Sequence, residues 1–193
     1  MKALAQEYVA ENYEGTDTYK YIDGLLRKRS NELLVITPFL GPSYASALWK
    51  EAGKKKVYVV ISNSKINSKA WKLLSHGRLG GYARAFAYLA VLSALLFYLK
   101  LKVFAFGIVA LLAAVLLLAI IRRSKRGNLH VKISDRLFIH EKLYITDTEA
   151  ISGSANLTYG GTHRNLEQIA ITHDPSEIKR LKEHFWAVWG SKA

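Results

Sequence analysis

Apolar residues follow two patterns along this chain, and each pattern predicts a different environment. In most of the sequence, short apolar runs alternate with amphipathic segments. Short runs bounded by turn residues are typical of buried strands, and amphipathic segments with a helical period are typical of surface helices. We predict strands at residues 33–37, 57–62, 129–133, 143–146, 149–152 and 166–172. We predict helices at residues 1–11, 43–52 and 67–76, one from a cap at 15–17 to residue 30, and a last one capped by Asp174-Pro175. This alternation indicates an α/β fold with a mixed β-sheet flanked by helices.

The second pattern is a pair of long apolar stretches at residues 82–98 and 103–121, separated by Lys100-Leu101-Lys102. As helices they would be roughly 25 to 29 Å long, close to the hydrocarbon thickness of a bilayer. Two buried core helices are the alternative, but a domain this small has too little protein to cover both on all sides. We therefore predict a transmembrane hairpin within residues 77–127, inserted between two parts of one domain, residues 1–76 and 128–193.

Charge is distributed unevenly among these three parts. The chain has a net charge of +13 and no cysteine. Residues 1–76 carry 12 basic and 7 acidic side chains, residues 77–127 carry 8 basic and none acidic, and residues 128–193 carry 8 of each. Because much of the excess surrounds the apolar insert, the total charge is weak evidence for a nucleic-acid partner. Basic residues at both outer ends of the hairpin predict a multi-pass protein of the cell membrane with its remaining parts in the cytoplasm.

Candidate chemistry is concentrated after the insert. One segment reads H-x-K-x4-D and is followed by a small polar turn, with His140, Lys142, Asp147, Gly153, Ser154 and Asn156 as the residues concerned. On a strand, residues two apart point to the same face, so we predict that the imidazole and the ammonium lie side by side. A neutral imidazole can attack phosphorus while a lysine stabilises the charge that grows on the phosphate oxygens.

The string resembles the signature of the phospholipase D superfamily, in which H-x-K-x4-D is followed by G-S-x-N and then by Asn-x-Glu, here Asn165-Leu166-Glu167. The resemblance covers residues 19–76 and 128–190. It implies a phospholipase D-like fold, a phosphohistidine intermediate and no cofactor or metal. The other five histidines lack the spacing of metal ligands.

The same resemblance implies a role for each motif residue. His140 would be the nucleophile or the acid. Lys142, Ser154 and Asn156 would bind phosphate, and Glu167 would orient an imidazole of the opposing subunit. Asp147, Gly153 and Asn165 would be structural members of the motif. Since the chain has one copy of the motif where other members have two, we expect a homodimer that shares one site.

Three classes of function remain open at this point. The first is a membrane-anchored, metal-independent endonuclease facing the cytoplasm. The second is a phospholipase D or phosphatidyl transferase acting on membrane lipid, and the third is an adaptor that keeps the fold without turnover. In a parallel β-α-β arrangement, the insert would interrupt a turn at the amino ends of the strands, whereas His140 follows a carboxyl end. The expected separation of membrane and active site favours a soluble or polymeric substrate, so we prefer the endonuclease.

Overall fold

The computed structural model describes residues 10–76, 79–98, 107–117, 125–135 and 138–191. The chain divides into two compact units. The first consists of residues Met1–Leu74 and Asn128–Ala193, and the second of residues Ser75–Gly127. We call the first the sheet unit and the second the insert.

A seven-stranded mixed sheet forms the centre of the sheet unit. Its strands are β1 (Glu11–Gly15), β2 (Glu32–Thr37), β3 (Lys56–Ser62), β4 (Leu129–Ser134), β5 (Leu143–Ile145), β6 (Ala150–Gly153) and β7 (Glu167–Thr172). Their spatial order is β1-β7-β6-β5-β2-β3-β4. The pairs β2·β3 and β3·β4 are parallel, and all others are antiparallel. The predicted mixed sheet is thereby confirmed.

Helices cover both faces of this sheet. In the sheet unit they are α1 (Tyr19–Arg27), α2 (Pro42–Glu51), α3 (Ser68–His76), α6 (Tyr159–His163) and α7 (Pro175–Gly190). One apolar core lies between the sheet and α1, α2 and α3, and includes Ile22, Leu48 and Leu74. A smaller core on the opposite face is closed by Ile178 and Phe185 of α7. The sheet is buried on both faces, which explains why β2 and β3 read as continuous apolar runs.

The structure differs from the prediction at the first helix and at the strand expected to carry His140 and Lys142. The predicted helix at residues 1–11 lies largely outside the described residues, but its last position, Glu11, begins a strand. That strand pairs with β7 along its whole length, and such a partner is invisible to a local pattern. His140 and Lys142 were predicted on a strand, but β5 begins only at Leu143.

The predicted transmembrane hairpin is not confirmed. The insert contains α4 (Leu79–Tyr98) and a helix, α5, over residues 107–117. Among the residues that the structure describes, no helix is both long and apolar enough to cross a bilayer. The described part of α5 is about 16 Å long at 1.5 Å per residue, and the rest of the predicted span at 103–121 lies outside the described residues.

The register of the strands gathers particular residues at each edge of the sheet. At one edge lie the carboxyl ends of β2, β3, β4 and β6 together with the amino ends of β5 and β7. We call this edge the site end and the opposite edge the anchor end. The insert returns to the sheet at Leu129, which is paired with Val57 at the anchor end. His140 lies at the site end, next to Ile139, whose backbone is bonded to Ser62 at the carboxyl end of β3.

Candidate active site

The imidazole of His140 and the ammonium of Lys142 lie side by side at the site end. Lys142 Nζ is 3.2 Å from His140 Nε2 and donates to the backbone oxygen of His140 at 2.7 Å. An ammonium has only donor hydrogens, so Nε2 accepts this bond and a neutral imidazole carries its proton on Nδ1. The nitrogen next to the lysine is therefore the unprotonated one, and its electron pair accepts the bond from the lysine.

The two side chains differ sharply in exposure. His140 is exposed, whereas Lys142 is only 4% exposed. Burial lowers the pKa of Lys142 below its ordinary value, and the nearby carboxylate of Glu167 raises it back in part. A buried cation is costly unless an anion compensates it. This arrangement suits a site that receives a negatively charged group.

A turn after β6 brings a hydroxyl and a carboxylate to the same edge. The Ser154 hydroxyl donates to Glu167 Oε2, and Asn165 Nδ2 donates to Glu167 Oε1 at 3.1 Å. The Gln168 amide donates to Ser154 Oγ at 3.0 Å. Glu167 is buried, and among the described residues the imidazole of its own His140 is not one of its hydrogen-bond partners. The carboxylate is thus fixed in place beside Lys142.

Gly153 is required by the backbone of this turn. Its φ is +153°, and a Cβ at this position would lie 2.2 Å from the backbone oxygen of Gln168. Any side chain would therefore push the turn away from β7. Gly153 holds Ser154 close enough to contact Glu167.

Asn156 has an unusual environment. Its Oδ1 atom is buried, and the described residues provide no hydrogen-bond partner for it. Buried polar atoms without a partner are rare and are frequently found at functional sites. Ala155 and Leu157, the residues before and after Asn156, are fixed by hydrogen bonds to strands of the sheet. The Tyr144 hydroxyl donates to the Ala155 oxygen at 2.6 Å, and the Leu157 amide donates to Thr37 Oγ1 at 3.3 Å.

Asp147, the last member of the motif, lies at the anchor end. One carboxylate oxygen accepts the Asn31 amide at 2.7 Å, and the other accepts Lys182 Nζ at 3.0 Å. Burial alone would raise the pKa of Asp147, but the Asn31 amide and the Lys182 ammonium outweigh it and lower the pKa. Three residues of β5 separate Lys142 from this end of the sheet, so the structure does not bring Asp147 together with the other motif residues.

Sequence reasoning missed the groups that hold and border this site. Tyr144 is fully buried beneath the turn, and Thr37 anchors it from β2. Phe138 is 58% exposed, and its ring centroid lies 6.1 Å from that of His140 and 5.8 Å from that of Phe39. The signal for this border in the sequence is a phenylalanine two residues before the motif histidine.

Two other histidines have ordinary structural partners. The His163 ring is stacked between Tyr19 at 4.3 Å and Tyr159 at 4.5 Å. His184 bonds Glu141 at 2.9 Å on the surface. In the described parts of the chain, His, Cys, Asp and Glu side chains form no group of three or more that could hold a metal ion.

Comparison with solved structures shows the same fold in proteins of low sequence identity. A phospholipase D family member, Nuc from Salmonella typhimurium, superposes with a TM-score of 0.60 at 13% identity, covering 95% of both chains. NucT from Helicobacter pylori superposes with a TM-score of 0.56 at 16% identity, covering 94% of this chain and 95% of its own. TrmBL2, an archaeal chromatin protein whose structure shows a novel mode of DNA binding, gives 0.52 at 14% identity over 97% of this chain and 54% of its own.

Comparison of sequences identifies the family. No curated protein matches the chain at a significant level. The family model described as "Cardiolipin synthase, PLD-like domain" matches residues 25–189, which is most of the chain. With the sheet, the His140–Lys142 pair and the polar turn in place, the chain belongs to the phospholipase D-like domain family and is a phosphodiesterase of that superfamily.

Proposed function

We propose that this protein is a metal-independent endonuclease that works through a phosphohistidine intermediate in a site shared by two subunits. The observation that carries the proposal is the exposed His140 imidazole, whose Nε2 accepts from a buried lysine 3.2 Å away. Such an imidazole is positioned to attack phosphorus, and the lysine is positioned to stabilise the phosphate oxygens.

The reaction would proceed in two steps. Lys142 first transfers its hydrogen bond from His140 Nε2 to a phosphate oxygen, which frees the nitrogen's electron pair. His140 Nε2 then attacks phosphorus and forms a P–N bond while the ester P–O bond breaks. A second, protonated imidazole gives its proton to the leaving oxygen. That imidazole then takes a proton from water, whose oxygen attacks phosphorus and breaks the P–N bond. Lys142, Ser154 and Asn156 would hold the phosphate oxygens throughout.

Topology supports a nucleic-acid substrate over a lipid. Within the sheet unit, the chain returns from the insert at the anchor end, whereas His140 lies at the site end. The second candidate function is a phospholipase D or phosphatidyl transferase. The description of the matching family model, a cardiolipin synthase domain, supports this alternative.

One comparison of substrates tests the proposal. Purified protein is incubated with labelled single-stranded and double-stranded nucleic acid and with phospholipid vesicles, with and without excess EDTA. We expect nucleic-acid cleavage that persists in EDTA and is lost in His140→Ala. The matched control is His184→Ala, which removes an exposed imidazole bonded to Glu141 and should leave the rate unchanged. Lipid turnover alone would favour the second candidate function, and loss of activity in EDTA with recovery on adding magnesium would exclude the proposed mechanism.

The shared site follows from the need for a second imidazole. The chain has one complete H-x-K-x4-D string, since His130-Val131-Lys132 lacks the aspartate, and the described residues place no other histidine beside His140. A second copy across a two-fold axis would supply the missing acid, and its Glu167 would orient the facing His140. If wild type and His140→Ala exchange freely at equal amounts, we expect about a quarter of full activity, because mixed dimers share one broken site. Half of full activity, or a fully active isolated monomer, would contradict the shared site.

We further propose that the insert attaches the enzyme to the cell membrane, with the sheet unit on the cytoplasmic side. Support comes from exposed apolar side chains on its helices, including Tyr88, Leu92, Tyr98, Leu111 and Leu117. Basic residues at 122, 123, 125 and 126 would be attracted to the anionic lipid of the cytoplasmic leaflet. In flotation with anionic vesicles, the full chain should rise with the lipid and a variant lacking residues 77–127 should not. Equal recovery of both would contradict the attachment.

A further inference from the structure

A cleft of about 370 Å³ opens at the site end, between the carboxyl ends of β3 and β4. Its floor is apolar, from Ile61 and Ile133, and its walls carry Asn63, Lys65, Trp71 and Asp135. Ligands of open α/β sheets gather at this end of parallel strands. The volume falls in the range of small-molecule sites and fits one nucleoside.

The cleft is joined to the candidate nucleophile through Ser62. Ser62 lines the cleft, and its hydroxyl donates to the Ile139 oxygen at 2.9 Å and accepts the Ile139 amide at 3.0 Å. Ile139 lies between Phe138 and His140 in the chain. A group bound in the cleft would therefore lie at the same end of the sheet as a phosphate at His140.

The walls of the cleft are held by a buried amide. Asn67 is 3% exposed, and its side chain donates to the oxygens of Pro38 and Ser62 and accepts the Leu40 amide. These bonds tie the segment after β2, which includes Phe39, to the end of β3. The cleft is thus preformed, which reduces the entropy lost when a ligand binds.

The chemistry of the walls favours a nucleobase. Trp71, which lines the cleft, is 36% exposed and has an aromatic ring on which a base can stack. The Asn63 side chain donates to Asp135 Oδ1 at 2.9 Å, which places an amide oxygen and a carboxylate together as acceptors. A carboxylate repels phosphate but accepts from the amino group of a base, as acidic side chains do with cytosine. Acyl chains would leave these polar groups without partners.

We propose that this cleft binds the base of a nucleotide next to the scissile phosphate and prefers a base with an exocyclic amino group. The inference rests on the proposed nuclease function and makes it more specific. A base can enter the cleft only when it is unpaired, so the substrate is single-stranded nucleic acid. Trp71 supplies stacking, and the Asn63–Asp135 pair reads the edge of the base.

Short oligonucleotides with one cleavable linkage test this specificity. All other linkages are uncharged methylphosphonates. The nucleotide on one side of the cleavable bond is cytidine, thymidine or an abasic analogue, and a second series varies the nucleotide on the other side in the same way. For one side, we expect wild-type kcat/KM to be at least about tenfold higher with cytidine than with the abasic analogue, as stacking and one hydrogen bond provide. Thymidine should lie between them.

Two cleft variants and two controls identify the residues responsible. Trp71→Ala should reduce the preference for a base over the abasic analogue to less than about threefold, because the stacking ring is lost. Asp135→Ala should remove the preference for cytidine over thymidine. Trp71→Phe keeps a stacking ring and should keep most of the preference. Trp186→Ala, a tryptophan of similar exposure on α7, should change nothing once thermal unfolding shows that each variant is folded.

The outcomes separate this inference from the proposed function. If the wild type cleaves nucleic acid in a His140-dependent manner but treats all three substrates alike, the cleft proposal is overturned and the nuclease remains. If Trp71→Ala keeps the full preference, the base is read elsewhere, and the cleft proposal is again wrong. If only phospholipid is turned over, both proposals fall together.

Discussion

Charged and polar side chains have different partners at the two ends of the sheet. At the anchor end, three ion pairs join side chains of different elements, although Glu51 Oε2 there is buried without a hydrogen-bond partner among the described residues. Lys182 bonds Glu32 at 2.8 Å and Asp147 at 3.0 Å, and Lys28 bonds Glu149 at 2.6 Å. At the site end, Lys142 is buried against an imidazole, and Asn156 Oδ1 lacks a partner among the described residues.

This difference divides the H-x-K-x4-D string itself. The His and Lys of the motif lie at the site end, and its Asp lies at the anchor end, because the short strand β5 crosses the sheet between them. Satisfied charges stabilise a fold, whereas polar groups without partners are frequently retained for function. One motif therefore combines two side chains that we propose to be reactive with a carboxylate that holds the opposite end of the sheet.

The largest expected effect is on activity at the site end. His140→Ala removes the proposed nucleophile, and we expect phosphodiester cleavage to fall by about 10⁴-fold or more, since covalent catalysis has no substitute in this site. Thermal stability should change little because the ring is exposed. Steady-state kinetics together with a melting curve measure both. If cleavage survives within tenfold, the reactive part of the motif has been placed wrongly.

Lys142 gives a smaller effect and a characteristic pH dependence. Lys142→Ala should lower kcat by about 10² to 10³-fold, as loss of one stabilising group for an oxyanion does. Burial lowers the pKa of Lys142, with Glu167 opposing in part. The active ammonium is therefore lost as pH rises through this lowered pKa, and the alkaline limb of kcat should lie below the titration range of an exposed lysine, about 10.4.

Lys142→Arg provides the matched control for that limb, because arginine stays charged throughout the range. Whatever activity remains in this variant should persist to higher pH than in the wild type. An identical alkaline limb in both proteins would mean that another group controls it.

The sequence predicted this fold well where the pattern was local. β2 and β3 are buried on both faces, so their apolar runs were unambiguous, and Asp174 caps α7 by accepting the Ser176 amide as its position before Pro175 suggested. The predicted helix at residues 1–11 was wrong at Glu11, where β1 begins. β1 was not predicted because its partner, β7, lies more than 150 positions away in the sequence. Tyr144 and Thr37 were missed for a similar reason, since their role depends on contacts across the sheet.

The insert was predicted less completely. Residues 82–98 and 103–121 resemble membrane spans in composition, but no helix among the described residues is both long and apolar enough to cross a bilayer. Lys55, just before β3, shows how a basic residue can have a structural role that the sequence does not reveal. This lysine is buried and donates to the backbone oxygens of Leu26 and Lys28 at the end of α1. Its charge stabilises a helix terminus.

At the anchor end, Asp147→Ala should affect stability and not catalysis. It leaves the Asn31 amide without its acceptor and removes one of the two partners of Lys182, so we expect a loss of about 2 kcal/mol in the free energy of unfolding. Because the pKa of Asp147 is lowered in the folded state, its stabilisation is complete above the ordinary value, about 3.9, and disappears as pH falls through the lowered pKa.

Chemical denaturation at pH 7 and at progressively lower pH measures this contribution. The difference between wild type and variant should be constant near neutrality and shrink in acid. Asp17→Ala, which removes an exposed carboxylate paired with Lys20, serves as the control and should behave like the wild type. A large loss of kcat in folded Asp147→Ala would mean that the anchor end also contributes to catalysis, which contradicts the proposed difference between the two ends.

The smallest expected effect comes from Tyr144→Phe, which tests how far the distinction holds within β5. Tyr144 lies between the two ends, and its hydroxyl supports the Ala155 oxygen from beneath the turn that carries Ser154 and Asn156. Removing that hydroxyl leaves a carbonyl unpaired, and we expect a loss of about 1 kcal/mol in stability. The turn would also be held less firmly, so kcat should fall a few-fold while the pH limb of Lys142 stays in place. If kcat is unchanged despite the lost stability, Thr37 and Gly153 fix the turn without help from Tyr144. Tyr144 of β5 would then contribute to stability alone, as Asp147 is expected to do.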